Sequence, residues 1–362
     1  MNPFQHGGGA EFQISLLIAA LRQADRFDVY YLARHIEPNI RPEGYTVVRI
    51  GHNGKVPRLG YVTDLIPLYR ALRAINPQVI YQRVAGGYTG ICALYARRHR
   101  ARLIWHVAHN TDVMPQTLDA GRNVLRRRLE KWSVEYAIRH ADRIVVQTRD
   151  QAEVLAENYG RRADAVIANF HPEPAQQPDK SGPPTVVWIA NLKMWKRPDV
   201  FVRLAQALSD LQGVQFLMLG EAQGSQTNKW YQELMQSIAA TPNLTYLGRR
   251  TQEEVDQYLA RASIFVNTSV HEGFPNTFVQ AWLREAVVVS LSVNPDHVLD
   301  NGNAGVYAES EAGLVRAVRN LLTDSEARAG YVRRARAHAR STHSLMNATK
   351  LTELIDACAA SI

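Results

Sequence analysis

Short apolar runs alternate along this chain with longer stretches whose apolar positions recur every three to four residues. In the first half the runs Phe27–Leu32, Tyr45–Ile50, Val79–Tyr81, Leu103–Val107, Arg143–Gln147 and Ala165–Ala168 predict strands. Between them Glu11–Arg22, Asp64–Ile75, Tyr88–Arg98 and Val124–His140 carry helical spacing, and a further helix is predicted to start at Thr148 and Asp150 and run to Tyr159. The same alternation restarts with strands at Thr185–Ala190, Val214–Leu219, Leu244–Leu247, Ile264–Val266, Val287–Val289 and Gly305–Tyr307. Helices are expected at Pro198–Leu208, Lys229–Ala239, Gln252–Ala260, Thr277–Arg284 and Glu311–Thr323, and Glu326–Ile362 reads as helix without a strand. Strands alternating with helices predict parallel sheets covered on both faces.

Glu173–Pro184 (EPAQQPDKSGPP) separates the two series: it holds four prolines and no apolar pattern, as a linker does. The expected limits are therefore a domain over 1–175, a linker over 176–184, a second domain over 185–340 and a terminal helix over 341–362. At 362 residues, two domains are also what length favours. One regularity is broken at the start. A Gly-rich turn in a doubly wound domain follows a central strand, yet Gly7-Gly8-Gly9 has only Phe4 as an apolar residue between it and Met1. The expectation is a strand encoded upstream of Met1.

Composition narrows the class. A hydrophobic share of 46% with 21% charged residues excludes a disordered chain. No apolar run reaches the roughly 18–20 residues of a membrane span, and the first residues lack the pattern of a secretory signal. Cys92 and Cys358 have no metal-type spacing and predict a reducing compartment. The expectation is a cytoplasmic protein. Its charge is uneven: residues 1–175 hold 24 Lys+Arg against 16 Asp+Glu, and the remainder is balanced. Arg122, Arg126, Arg127, Arg128 and Lys131 form one cluster; Arg97, Arg98, Arg100 and Arg102 form another. No nucleic-acid-binding motif accompanies them, which leaves a solvated helix face or, among anionic partners, a membrane surface, peripherally on its inner side.

The chemistry concentrates in Ser263–Ser292. His271-Glu272-Gly273-Phe274-Pro275-Asn276 joins a predicted strand to a predicted helix, and such a loop at the carboxyl end of a strand can hold an anion against the helix N-terminus. Read with the two-domain layout, HEGFPNTFVQAW resembles the donor-site signature of glycosyltransferase family 4. These are retaining enzymes of the GT-B architecture, in which two Rossmann-like doubly wound domains face a central cleft and the last helix crosses back to the first domain. GGGAE, Asn169-Phe170-His171-Pro172, NLKMWKRPD, LMLGE, Leu247-Gly248-Arg249-Arg250 and VSLSVNPD extend the resemblance over nearly the whole chain.

The resemblance implies a sugar transfer from a nucleotide diphosphate sugar to a glycan or lipid-linked acceptor, without metal or cofactor. Glu272 falls on the glutamate that contacts the transferred sugar, with Gly273 and Phe274 offering backbone N–H groups beside it. The helix from Asn276 and Thr277 points its N-terminus at the donor. Lys196 falls on the lysine that contacts the diphosphate. Asn191 stands where the family has an arginine, and Lys193 or Arg197 is the candidate to compensate. Gln280 stands at the second glutamate of the family's Glu-x7-Glu, where the ribose is held; an amide oxygen accepts similarly without the charge. Gly8 and Gly9 fall on the acceptor and diphosphate loop, and His109 on a histidine near the reacting sugar. His106, inside its strand, reads as core. The alternatives are a nucleotide-sugar-binding partner subunit without turnover and a GT-B sugar-nucleotide epimerase. A nicotinamide dehydrogenase is unsupported, since no strand–GxGxxG–helix unit appears.

Overall fold

The computed structural model describes residues 8–34, 36, 42–51, 60–115, 124–222, 228–300 and 303–362. Gly7, Arg122 and any strand before the Gly-rich turn lie outside these residues, as does the side chain of Arg126. The chain divides into two compact units: unit 1 is Met1–Phe170 with Leu345–Ile362, and unit 2 is His171–Ser344.

In unit 1, α1 (Gly9–Gln23), β1 (Tyr30–Ala33), β2 (Thr46–Arg49) and α2 (Gly60–Ile75) precede β3 (Val79–Arg83), α3 (Gly87–Arg98) and β4 (Arg102–His106). Then come α4 (Val124–His140), β5 (Arg143–Val146), α5 (Arg149–Tyr159) and β6 (Ala165–Val166). All pairings among the described residues are parallel: β1 joins β2, and β3-β4-β5-β6 form a second sheet. The first strand begins at Tyr30 rather than Phe27, because Phe27 packs into the core beneath α1 instead of pairing. Thr148 caps α5 through its hydroxyl, which accepts from the Gln151 N–H at 3.1 Å, and Gly160 ends that helix in the left-handed region.

In unit 2 the order is β7 (Thr185–Ile189), α6 (Pro198–Ala207), β8 (Gln215–Leu219), α7 (Lys229–Ala239), β9 (Leu244–Gly248), α8 (Gln252–Arg261) and β10 (Ile264–Asn267). After these follow α9 (Asn276–Leu283), β11 (Val287–Ser290), β12 (Gly305–Tyr307), α10 (Glu311–Thr323) and α11 (Ser325–Thr342). The six strands lie in the order β12-β11-β10-β7-β8-β9. The central strands β10 and β11 are buried throughout, as strands covered on both faces must be. Gly220, at the end of β8, has φ of +148°, and a Cβ there would stand 1.8 Å from the Ala190 carbonyl oxygen. That glycine lets the chain leaving β7 pass against the end of β8.

The Pro-rich run belongs to unit 2 and is fastened rather than free: Lys180 Nζ donates to the Leu259 and Ala262 carbonyls at the end of α8. The piece that returns to unit 1 begins at Leu345. Its helix α12 (Met346–Ala359) buries Ala348, Leu351, Ile355 and Cys358 against Leu17, Ile104, Val145, Ile167 and Phe170.

Candidate active site

The strand order in unit 2 sets where a ligand can enter. The chain runs from β7 outward to β8 and β9, then crosses to β10 on the other flank of β7. The chain leaving β7 and the chain leaving β10 thus continue to opposite flanks of the sheet beyond its carboxyl edge, the place where open α/β sheets bind ligands. The loops that follow these two strands are residues 190–197 and 268–275. They are stitched together: the indole N–H of Trp188 donates to Thr268 Oγ1 at 2.8 Å, and that hydroxyl donates to the Lys196 carbonyl at 2.6 Å. The Val270 N–H adds a bond to the Trp195 carbonyl at 2.9 Å.

This stitching brings together residues 76 positions apart. Lys196 Nζ and Glu272 Oε1 form an ion pair, with their side chains only 17% and 14% exposed. The Lys193 and Lys196 ammonium groups lie 5.0 and 5.2 Å from the centre of the Trp195 ring, and Trp195 lies 5.3 Å from the His271 ring. Burial lowers the Lys193 pKa, and the neighbouring Lys196 charge lowers it further. Arg197 is committed elsewhere, to Asp199 and Glu311. Of the two candidate replacements for the cation absent at Asn191, only Lys193 therefore faces this cluster. Asn191 itself is exposed.

Gly273 and Phe274 are buried. The Phe274 ring lies 4.5 Å from His343, 6.0 Å from Trp282 and 6.4 Å from Phe278, and so anchors the loop in an aromatic cluster. Helix α9 starts after Pro275, whose side chain provides no cap. Asn276 Oδ1 accepts from His171 Nε2 at 3.3 Å, and Thr277 is half-buried beside it. Gln280 is buried, and its amide nitrogen donates to Asp256 Oδ1 at 3.2 Å. Asp256 also pairs with Arg284 at 2.7 Å. Nothing in the spacing of Asp256, Gln280 and Arg284 flagged this contact, since it joins α8 to α9.

Gly8, Gly9 and His109 belong to unit 1. Gly8 and Gly9 are exposed at the start of α1. His109 begins a 3-10 turn over Asn110–Asp112, and its Nδ1 accepts from the Thr111 N–H at 3.2 Å. That places the ring proton on Nε2 in the neutral form. Asp112, also unnoticed in the sequence, fixes the turn by accepting from the Ala108 and His109 N–H groups at 2.9 and 3.0 Å. His106 is fully buried, with Nδ1 2.7 Å from the Tyr81 hydroxyl; burial and the nearby Arg83 charge hold its pKa well below the ordinary value.

Two family models match this chain: Glycosyltransferase Family 4 over residues 7–170 and Glycosyl transferases group 1 over residues 183–324. The sequence is 24% identical over 207 residues to the lipopolysaccharide core biosynthesis glycosyltransferase LpsE of Rhizobium meliloti (strain 1021), a match taking in 52% of this chain and 56% of that protein. The chain thus matches little more than half the length of that relative. In structure it is similar to sucrose-phosphate synthase of Thermosynechococcus elongatus, with a TM-score of 0.81 and 16% identity over 98% of this chain and 95% of that one. It is also similar to WaaG, a glycosyltransferase involved in lipopolysaccharide biosynthesis (TM-score 0.76, 14% identity, 97% and 96% of the two chains). Anabaena HepE in complex with UDP and glucose gives a TM-score of 0.74 at 18% identity, over 97% and 96% of the two chains. These likenesses establish the GT-B fold.

Proposed function

Because this chain belongs to glycosyltransferase family 4, with a group 1 match through its second half, we propose that it moves a hexose-type sugar from a nucleotide diphosphate sugar to a cell-envelope, lipid-linked or polysaccharide acceptor. The observation that carries the reading is the Lys196–Glu272 pair, which joins the loops after β7 and β10. A diphosphate leaving group needs fixed positive charge, and a reacting sugar needs acceptors for its hydroxyls; this pair holds one of each, ready to part around a donor. The ammonium of Lys196, that of Lys193 and the N-terminus of α9 supply the positive field in place of a metal ion. Glu272 then accepts from the sugar hydroxyls, with the Gly273 and Phe274 N–H groups beside it. HepE, solved with UDP-glucose, supports a nucleotide sugar as donor.

The transfer retains configuration. The bond from the anomeric carbon to the departing phosphate oxygen breaks, the acceptor hydroxyl adds to the same face, and its proton passes to the leaving phosphate. Gly8, Gly9 and His109 of unit 1 are assigned to the acceptor side of the transfer. The basic residues of unit 1 hold the enzyme on an anionic membrane surface at the cytoplasmic side. The test is turnover of a panel of nucleotide sugars with lipid-linked and glycan acceptors, by wild type and Glu272→Gln. A loss of about a hundredfold or more in kcat is expected for the variant. Equal turnover by both proteins would remove the assignment, and donor binding without any turnover would favour a partner subunit.

A further inference from the structure

Resting on the donor reading of unit 2, the α8–α9 contact explains how an amide serves where a carboxylate would be expected. Gln280 is 4% exposed. Its nitrogen donates to Asp256 Oδ1 at 3.2 Å, where the Gln252 amide nitrogen also donates at 3.2 Å. Asp256 Oδ2 is paired with the Arg284 guanidinium at 2.7 Å; burial raises the Asp256 pKa, and the Arg284 charge and the two amide donors oppose that rise. A charged carboxylate accepts hydrogen bonds and cannot donate them. The NH2 end of Gln280 must therefore face Asp256, and the carbonyl oxygen must point away from α8. Arg284 closes the unit by donating to the Gln280 main-chain carbonyl at 3.3 Å.

We propose that Asp256 is the positioning residue for Gln280, fixing the amide so that its oxygen accepts a hydrogen bond from the ribose of the bound nucleotide. The negative charge lies one residue removed from the ligand, on α8, where Arg284 neutralises it. One consequence separates this arrangement from a tolerated loss. Placing a carboxylate at position 280 would set two anions about 3 Å apart, and like charges at that distance cannot both ionise without strong mutual destabilisation. Gln280→Glu should therefore weaken binding, unless the charge at 256 is removed with it.

The experiment uses the full chain and calorimetric binding of UDP, ADP and GDP, followed by the 2′-deoxyribose counterpart of the tightest. Wild type is expected to prefer the ribonucleotide about tenfold, the worth of one well-made hydrogen bond. Gln280→Glu should lose about tenfold in ribonucleotide affinity, and Asp256→Asn with Gln280→Glu should return to within about threefold of wild type. Asp256→Ala should erase the ribose preference while leaving deoxynucleotide affinity within about twofold, a split that loss of folding would not produce. Gln280→Glu binding as tightly as wild type, or Asp256→Ala keeping the full preference, would overturn the proposal and leave the transferase reading standing. So would an Asp256→Asn variant without preference beside a Gln280→Ala variant that keeps it, since Asp256 itself would then meet the ribose. If none of the diphosphates binds wild type, the donor reading fails and takes this inference with it.

Discussion

The imidazole of His171 is buried and donates from Nε2 to Asn276 at the start of α9. Burial pushes its pKa down to about 3; the Asn276 bond opposes that, and the Arg284 charge adds to it. The unfolded chain binds a proton at this residue near pH 6.5. Between about 6.5 and 3 the unfolded state therefore carries the extra proton, so stability falls as pH falls through that window, by about 1.4 kcal/mol per unit from this residue alone. His106 in unit 1 and His338 on α11 shift in the same direction through burial. The melting temperature should thus drop between pH 7.5 and 5, and His171→Asn, which keeps an N–H donor without titrating, should show a shallower drop. Matching pH profiles for the two proteins would refute the account. The sequence displayed His171 at a domain end and Glu272 and Lys196 in their motifs. The hydrogen bond of the first and the pairing of the other two reach partners 105 and 76 residues away, and spacing along the chain carries no such information.

At the level of elements, helices with strong local signals were legible from the sequence. α7 and α10 lie at the positions their apolar spacing predicts, with Asn228 and Ser310 as side-chain caps, and α8 opens with a capping box between Thr251 and Glu254. Strand limits were less legible. Phe27 and Asp28 extend the predicted run before β1 but lie outside the ladder, because a β-rich run does not state where its partner strand begins. The packing of α9 was hidden for the same reason: Phe278 and Trp282 read as an apolar face, but the ring contacts of Trp282 and Phe274 with His343 join distant parts of the chain. Phe274 ties the loop to that helix. Phe274→Ala should cost about 3 kcal/mol or more in urea unfolding, with weaker donor binding in the folded fraction. An unchanged midpoint would mean that the loop holds its shape without the ring.

On the scale of the molecule, the charge of the first half is displayed along α4. Arg127 and Arg128 are exposed there beside Leu129 and Trp132, which are 44% and 62% exposed. Exposed aromatic and aliphatic side chains among arginines suit an anionic lipid interface. Flotation with phosphatidylglycerol vesicles should fall about tenfold or more when Arg127→Glu, Arg128→Glu and Trp132→Ala are combined, and high salt should weaken wild-type binding. Equal flotation of both proteins would dismiss α4 as the docking face. The packing of α12 bears on a different matter, the order in which the protein is made. The first segment of unit 1 leaves a ribosome before unit 2 does, yet the helix that covers Leu17, Ile104 and Phe170 is translated only after the whole of unit 2. The apolar surface under α12 must therefore wait, uncovered, while 174 residues of unit 2 are synthesised and fold. A nascent chain stalled shortly after Ser344 would display that surface to chaperones.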